Sequence, residues 1–385
     1  VVAASGSRSN NIVLPVRGTT VVRQPEVRLV QTRAPKPKLV PQNNGLSQCG
    51  VDFLKCAFAA PDFDSTGSLG IPDNYVGRTL MSNQTLVSNL SAPHNMDTYI
   101  VVSPFFGSAY LTATVNTGVQ PGTLTSVNWP GYANLGLGVA PAGLGTVGKF
   151  RYASLCAEIQ STMNEMSWAG NITCYRIPMT MTVTNAASVP STPSVVLNFE
   201  PGGIGNLSTV PFNNVYTAPF NKGAYAVSYN RSGAFDFVEV VGDNQDTTAT
   251  RVYSPGTGTS LTMPYRGHDN LDSIVFKISV PNVAVDQSFI LRTWACVELQ
   301  VVPNNFIYEF TSLSCPHDQR ALDLYKLIAE RLPVAVPYAD NASFWSKIYG
   351  FIRSLSAGLS KVPGPIGDIA SGVNMITSGI SSFRV

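Results

Sequence analysis

The 385 residues include 12% charged and 10% aromatic residues, with 32 Gly and 27 Pro, a folded, loop-rich composition that excludes whole-chain disorder. No run of about 20 apolar residues occurs, which excludes an ordinary membrane-spanning helix. The first residues also lack the basic start, apolar core and small-residue cleavage site of a secretory leader. The net charge of +2 hides a pattern. Residues 1–48 carry Arg8, Arg17, Arg23, Arg28, Arg33, Lys36 and Lys38 against Glu26, a net +6. Residues 342–385 carry Lys347, Arg353, Lys361 and Arg384 against Asp368, a net +3, so the body between is at −7. Basic ends on an acidic body point to a polyanion or membrane partner.

Residues 1–48 hold no sustained period, and "RAPKPKLVPQ" is extended and proline-stiffened. The expectation is a largely unpacked basic arm, with a plain solubilising tail as the alternative. The chain does not open on Met, so a start upstream of Val1 is expected.

Strand signals follow from about Cys49 to Leu313. "TYIVVSPF" (98–105) and "AYLTATV" (109–115) are short β-branched runs. "IPMTMTV" (177–183) alternates Ile177, Met179, Met181 and Val183 on one side. "IVFKISV" sets Ile274, Phe276, Ile278 and Val280 against Val275, Lys277 and Ser279. "FILRTWACVELQVV" (289–302) is long enough for a central position. Turn clusters separate these runs, and no alternation of strand and helix occurs. The expected fold is all-β: an antiparallel eight-stranded jelly-roll sandwich spanning 49–317, with a projecting β insertion around 186–270 and a small C-terminal helical region.

The period changes at 318–331, where Asp318 is placed to cap a helix carrying Leu322, Tyr325, Ile328 and Leu332 at helical spacing until Pro333. Beyond Ala342, Trp345, Ile348, Ile352, Leu355, Leu359 and Val362 form a second apolar stripe, stopped at "PGP" (363–365). Lys347, Arg353 and Lys361 lie off it, the make-up of an interfacial membrane helix. Packing into a core is the commoner use of such a stripe. The Gly- and Ser-rich continuation and the positive bias narrow that difference.

The six cysteines form no CxxC pair and are expected as buried free thiols. His94, His268 and His317 lack ligand spacing, so zinc is not expected.

Five ordered stretches carry a resemblance. "FLKCAFAAPDF" (53–63) with "GIPD" (70–73), "FRYAS" (150–154), "FILRTWACVE" (289–298), "LPVAV" (332–336) with "NASFW" (341–345), and "VPGPIG" (362–367) with "ASG" (370–372) are similar to segments of the coat-protein precursors of alphanodaviruses, the insect-infecting nodaviruses. The resemblance spans nearly everything after residue 52. It implies a virion protein that assembles in the host cytoplasm with copies of itself as a T=3 icosahedral shell around positive-strand genomic RNA. The arm residues Arg8 to Lys38 would face that RNA, and the inner helical segment 318–341 would end at a maturation cleavage between Asn341 and Ala342. The freed 342–385 peptide would act on a host endosomal or cell membrane, and an unidentified host receptor is implied. No cofactor is required.

The catalytic carboxylate implied by the family's "PPDF"-like motif is Asp62, in "APDF". The protein would be a single-turnover autoprotease. Departures are plain. The arm lacks dense Arg clusters. Calcium at subunit interfaces is implied through Asp236, but Ala234 replaces its partner and residues 145–149 hold no carboxylate.

The chemistry fits Asn-Ala. The Asn341 amide nitrogen can attack its own main-chain carbonyl if an acid/base group moves the proton to the leaving amine. Apolar neighbours (Cys56 to Ala60, and Phe63) would raise the Asp62 pKa and keep it protonated near neutrality. Other uses exist: Asp62 as a turn residue after Pro61, and Asn341 as one of several "N-x-S/T" sequons beside Asn83, Asn89, Asn171, Asn206 and Asn230. A lectin-like jelly-roll module and a pore-forming protein are the rival classes.

Overall fold

The computed structural model describes residues 46–58, 60–62, 70–129, 147–184, 194–199, 204–239, 250–254, 260–263, 268, 270–282, 284–303 and 305–338. Among them, antiparallel strands dominate, with two α-helices, α1 (Gln48–Phe58) and α2 (Gln319–Ala329).

Six strands build one sheet in the order β10-β5-β15-β1-β16, with β11 (Val238–Glu239) also on β5. Its members are β1 (Arg78–Ala92), β5 (Val147–Ser161), β10 (Ala224–Ser228), β15 (Gln287–Val301) and β16 (Ser312–Leu313). The run expected to lie centrally, 289–302, is β15, flanked by β1 and β5. The second sheet has ten strands in the order β7-β8-β13-β12-β4-β3-β2-β14-β6-β9. These are β2 (Met96–Val102), β3 (Ser108–Asn116), β4 (Thr123–Asn128), β6 (Asn171–Ile177), β7 (Met179–Thr184), β8 (Ser194–Phe199), β9 (Val215–Pro219), β12 (Thr250–Ser254), β13 (Ser260–Met263) and β14 (Ser273–Ser279). The span 186–270, expected as one insertion, is divided. Within it β9 and β10 pair with β6 and β5, whereas β8, β12 and β13 lie toward the far end of the larger sheet.

The main core lies between the sheets. Ile274, Phe276, Ile278 and Val280 of the β14 run pack there with Phe150, Leu155, Phe289, Leu291 and Leu299, as their alternation requires. Val275 points the other way, into a smaller cluster with Tyr99, Val101, Leu111 and Leu207.

The six-stranded sheet is covered on its second face by the helices. Asp318 binds the two helix starts together. Its carboxylate accepts from Ala321 N–H at 3.2 Å, capping α2, and from Ser47 N–H at 2.7 Å, just before α1. The Ser47 hydroxyl accepts from Gly50 N–H at 2.9 Å. Gly50 permits the close approach: a Cβ there would lie 2.6 Å from Asp318 Oδ2 and 2.8 Å from the Ala321 methyl.

Two cysteines depart from the free-thiol expectation. Cys49 on α1 and Cys315 ahead of α2 form a disulfide with Cα atoms 6.1 Å apart. Helix packing brings together positions far apart in sequence, which spacing does not reveal. Cys56, Cys156, Cys174 and Cys296 are buried free thiols.

Asp318→Ala removes the cap and the Ser47 tie together. It should cost about 2 kcal/mol, read as a lower urea midpoint of the unassembled subunit with an unchanged slope.

Candidate functional site

The helix-facing side of β5 and β15 is set by one extra residue. Pairing runs Trp294↔Cys156, Ala295↔Leu155 and Cys296↔Ser154, then shifts so that Val297 faces Tyr152 and Glu298 faces Arg151. Ala153 is the bulge. Below it the alternation is inverted: Phe150 and Tyr152 enter the inter-sheet core, and Arg151 turns toward the helix side with Ser154. Tyr152 then donates its hydroxyl to Phe105 O at 2.6 Å.

Arg151 is 1% exposed and central to a buried ion network. Its guanidinium lies 2.8 Å from Glu298 Oε2, also pairs with Asp73, and donates to Phe235 O at 2.8 Å. The Phe237 ring stacks on it at 4.1 Å. Ile71 N–H donates to Glu298 at 3.1 Å. Burial pushes the Glu298 carboxyl upward, and the Arg151 charge only partly offsets it. No role had been expected for Arg151, Glu298 or Asp73. The signal was nonetheless present, because the three lie in "FRYAS", "FILRTWACVE" and "GIPD".

Next to this network α1 lays Phe53, Leu54, Cys56, Ala57 and Phe58 onto the sheet and α2. Tyr325 of α2 is the hub, stacked on Phe58 with centroids 5.1 Å apart and packed on Phe235 at 5.0 Å and Phe53 at 5.5 Å. Its hydroxyl accepts from Asn230 N–H at 2.8 Å. Beneath lies a thiol group. A hydrogen bond with Cys296, together with burial, holds Cys56 well above the ordinary thiol value, and that same bond lowers Cys296. Burial pushes Cys156 up.

Asp62 ends a single 3₁₀ turn, Ala60–Asp62, just after α1. The turn packs beside β15. The chain after α2 is held at three points. Arg176 of β6, 4% exposed, donates to Pro333 O at 2.5 Å and to Leu332 O at 3.4 Å. Val336 then exchanges both backbone hydrogen bonds with Tyr225 of β10, at 2.8 and 2.9 Å. Tyr338 follows, packed so close to Gly223 that a Cβ on the glycine would lie 3.0 Å from the Tyr338 Cβ. The turn bearing Asp62 and the run after α2 therefore meet the same six-stranded sheet, the first beside β15 and the second at β10.

Asn341 and Ala342 lie outside the described residues, as do Arg8 to Lys38 and the stripe from Trp345 to Val362. Asp236 is exposed, and its backbone carbonyl lies 3.2 Å from His268 Nε2. Among the described residues no three His, Cys, Asp or Glu gather as metal ligands.

Comparison with known proteins first defines a class, that of viral capsid proteins. Over 355 residues the chain is 37% identical to capsid protein alpha of Pariacoto virus, covering 87% of each chain. Over 351 residues it is 35% identical to capsid protein alpha of Flock house virus, covering 88% of this chain and 85% of that one. The family model described as the Peptidase A6 family matches residues 46–382, and the chain belongs to this family of nodavirus capsid proteins. Among solved structures, the T13 particle of infectious bursal disease virus is 12% identical, with a TM-score of 0.45, covering 79% of this chain and 97% of that one.

Replacing Arg151 by Met leaves two carboxylates without their cation. The loss should be about 3–5 kcal/mol, measurable as a drop in the melting temperature of the subunit. Arg151→Lys should rescue little, because an ammonium cannot serve Glu298, Asp73 and the Phe235 carbonyl in one plane.

Proposed function

We propose that this protein is the coat-protein precursor of a non-enveloped icosahedral RNA virus, self-assembling and then cutting itself once between Asn341 and Ala342 with Asp62 as the acid/base group. The observation that carries the cleavage reading is the approach of both segments to one sheet: the Asp62 turn lies beside β15, and the chain after α2 pairs at Val336 with Tyr225 of β10, on the other side of β5. Asn341 is the third residue after Tyr338, and three residues of chain reach no further than about 11 Å. Membership of the Peptidase A6 family supports the same reading.

The pairing pattern supports a jelly roll. Two four-stranded orders, β1-β15-β5-β10 and β2-β14-β6-β9, account for eight strands, and the chain passes from one to the other at each successive strand except from β6 to β9, which pair side by side. β3, β4, β7, β8, β12 and β13 extend the second sheet and supply the projecting part.

The reaction balances without an external nucleophile. Asn341 Nδ2 attacks the Asn341 carbonyl carbon and closes a cyclic imide. The bond to the Ala342 nitrogen breaks. The amide proton leaves through Asp62, which delivers a proton to the departing amine, and water later opens the imide. A carboxyl group suits both transfers only if it is protonated part of the time near neutrality, which an apolar setting favours. The Cys56 thiol, held protonated by its hydrogen bond and burial, is poorly suited to compete as a nucleophile. Coupling to assembly follows if subunit packing completes the alignment, since orientation accounts for much of such a barrier.

The basic arm and tail fit the same protein. Each Lys or Arg on a phosphate releases counterions and binds RNA without reading sequence. Once freed, the cationic amphipathic 342–385 segment is suited to a lipid interface.

Assembled Asp62→Asn particles should retain the intact precursor mass, while wild-type particles convert to the masses of 1–341 and 342–385. Full conversion in the variant would remove Asp62 from the mechanism. Synthetic 342–385 should release dye from anionic liposomes at micromolar concentration, and an intact vesicle population at every lipid composition would rule out the membrane role.

A further inference from the structure

We infer that the outer edge of β1, residues 80–92, is a contact at which two copies of this chain join, their β1 strands pairing antiparallel about a two-fold axis at Leu86. This rests on the coat-protein reading above and adds to it the surface through which one kind of subunit contact forms.

β15 takes the inner edge of β1 along thirteen pairs, from Leu80↔Leu299 to Ala92↔Gln287, with no register shift. On the outer edge β16 pairs with Arg78 and Thr79 alone. Among the described residues nothing pairs with the outer edge of 80–92. Every second residue of that run turns its N–H and C=O outward, a template for another strand. Proteins blunt such an edge by short length, charge, proline or a bulge. "LMSNQTLVSNLSA" (80–92) has no charged residue and no proline, and it is far longer than the usual strand of about 5–6 residues. The edge also leaves the core open. Leu80, Leu86 and Leu90 pack against the main core yet stay half-buried. A strand laid along the edge would cover them.

Charge and length select the occupant. Binding RNA would require cations, and 79–92 supply none. A two-fold contact brings side chains near the axis close to their own copies, so a charge there would meet its like. An uncharged strand avoids that conflict. β16 sets the register. It fills the row beside 78–79, so a copied strand can lie only along 80–92, and the β16 of each copy must clear the end of the other strand. Both conditions hold when residue 80 faces residue 92, which centres the pairing on Leu86. Leu86 then meets Leu86 on the core side, while Thr85 faces Val87 and Asn83 faces Asn89 on the outer side. Val87, 56% exposed in the single chain, gains a neighbour. The two six-stranded sheets become one continuous sheet across the axis.

The test places one cysteine at Asn83, Thr85, Val87 or Ser91 of the full chain, all exposed on one face of β1, and treats purified particles with a short bismaleimide. About the Leu86 axis, Thr85→Cys and Val87→Cys bring each thiol about 7–8 Å from its copy. Asn83→Cys and Ser91→Cys leave about 20 Å and about 34 Å. Covalent dimers are expected on denaturing gels for positions 85 and 87 and not for 83 and 91. The parent chain, whose free thiols Cys56, Cys156, Cys174 and Cys296 are buried, sets the background. Dimers at none of the four, at all four alike, or most at 83 or 91 overturn the inference. Absence at all four is the result if another segment of the same chain lies along the edge. A second measurement uses charge. Val87→Lys and Val87→Glu should each lower particle yield about tenfold, because like charges meet across the axis. Their co-expression should restore the yield, and the melting temperature of the subunit should not change. A mixture no better than either variant overturns the inference, and this arm decides if the cysteine variants do not assemble. The two readings separate cleanly. A parent chain that forms no particles sinks the coat-protein reading and this contact with it, whereas parent particles without dimers at 85 or 87 sink only the β1 contact.

Discussion

The pairing of β5 with β15, interrupted by the single extra residue Ala153, governs the rest of the molecule. A strand has two faces and a period of two, so one inserted residue exchanges the faces of everything beyond it. Here the exchange sends Phe150 and Tyr152 into the inter-sheet core and turns Arg151 to the helix side, opposite Glu298. Without it, an arginine would point into the apolar layer and two aromatic rings toward the helices. The buried ion network, the seat of the 70–73 segment and the floor beneath α1 all follow from that offset.

The helices then act as carriers. Asp318 ties both helix starts, the Cys49–Cys315 disulfide adds a covalent link, and the Phe53, Phe58, Phe235 and Tyr325 rings fill the space between helices and sheet. α1 delivers its 3₁₀ turn to β15, and the segment after α2 pairs with β10, on the other side of β5 in the same sheet. A sheet centred on a long, doubly flanked strand is a stiff platform for both segments. The buried charges of Arg151 and Arg176 are costly to desolvate, and both are spent holding chain segments, 70–73 in one case and 332–333 in the other.

Parts of this were legible in the residues. The β-branched run 98–105, the alternation of 274–280 and the length of 289–302 correspond to β2, β14 and the central β15. The helical spacing with Asp318 ahead of it corresponds to α2 and its cap. β1 was hidden, because "TLMSNQTLVSNL" is rich in Ser, Thr and Asn and lies mostly half-buried or exposed along a flank. Its strand character comes from thirteen residues of pairing with β15, not from its own pattern. The network of Asp73, Arg151 and Glu298 was marked only by the motifs that contain its members, since each is one charge among many until the fold gathers them. The Cys49–Cys315 pair was missed for the same reason.

Sequence by itself determined the class of the protein. Local composition and period fix which segments become strand or helix, and ordered motifs from residue 53 to the tail fix the family, because both are written in neighbouring residues. The candidate acid Asp62 and the joint at Asn341 were also named from sequence. Tertiary structure alone decided which face each side chain of β5 presents, which carboxylates surround Arg151, and that the Asp62 turn and the segment after α2 meet the same sheet. Those are relations between residues far apart along the chain, set by register and packing, and no local pattern encodes them.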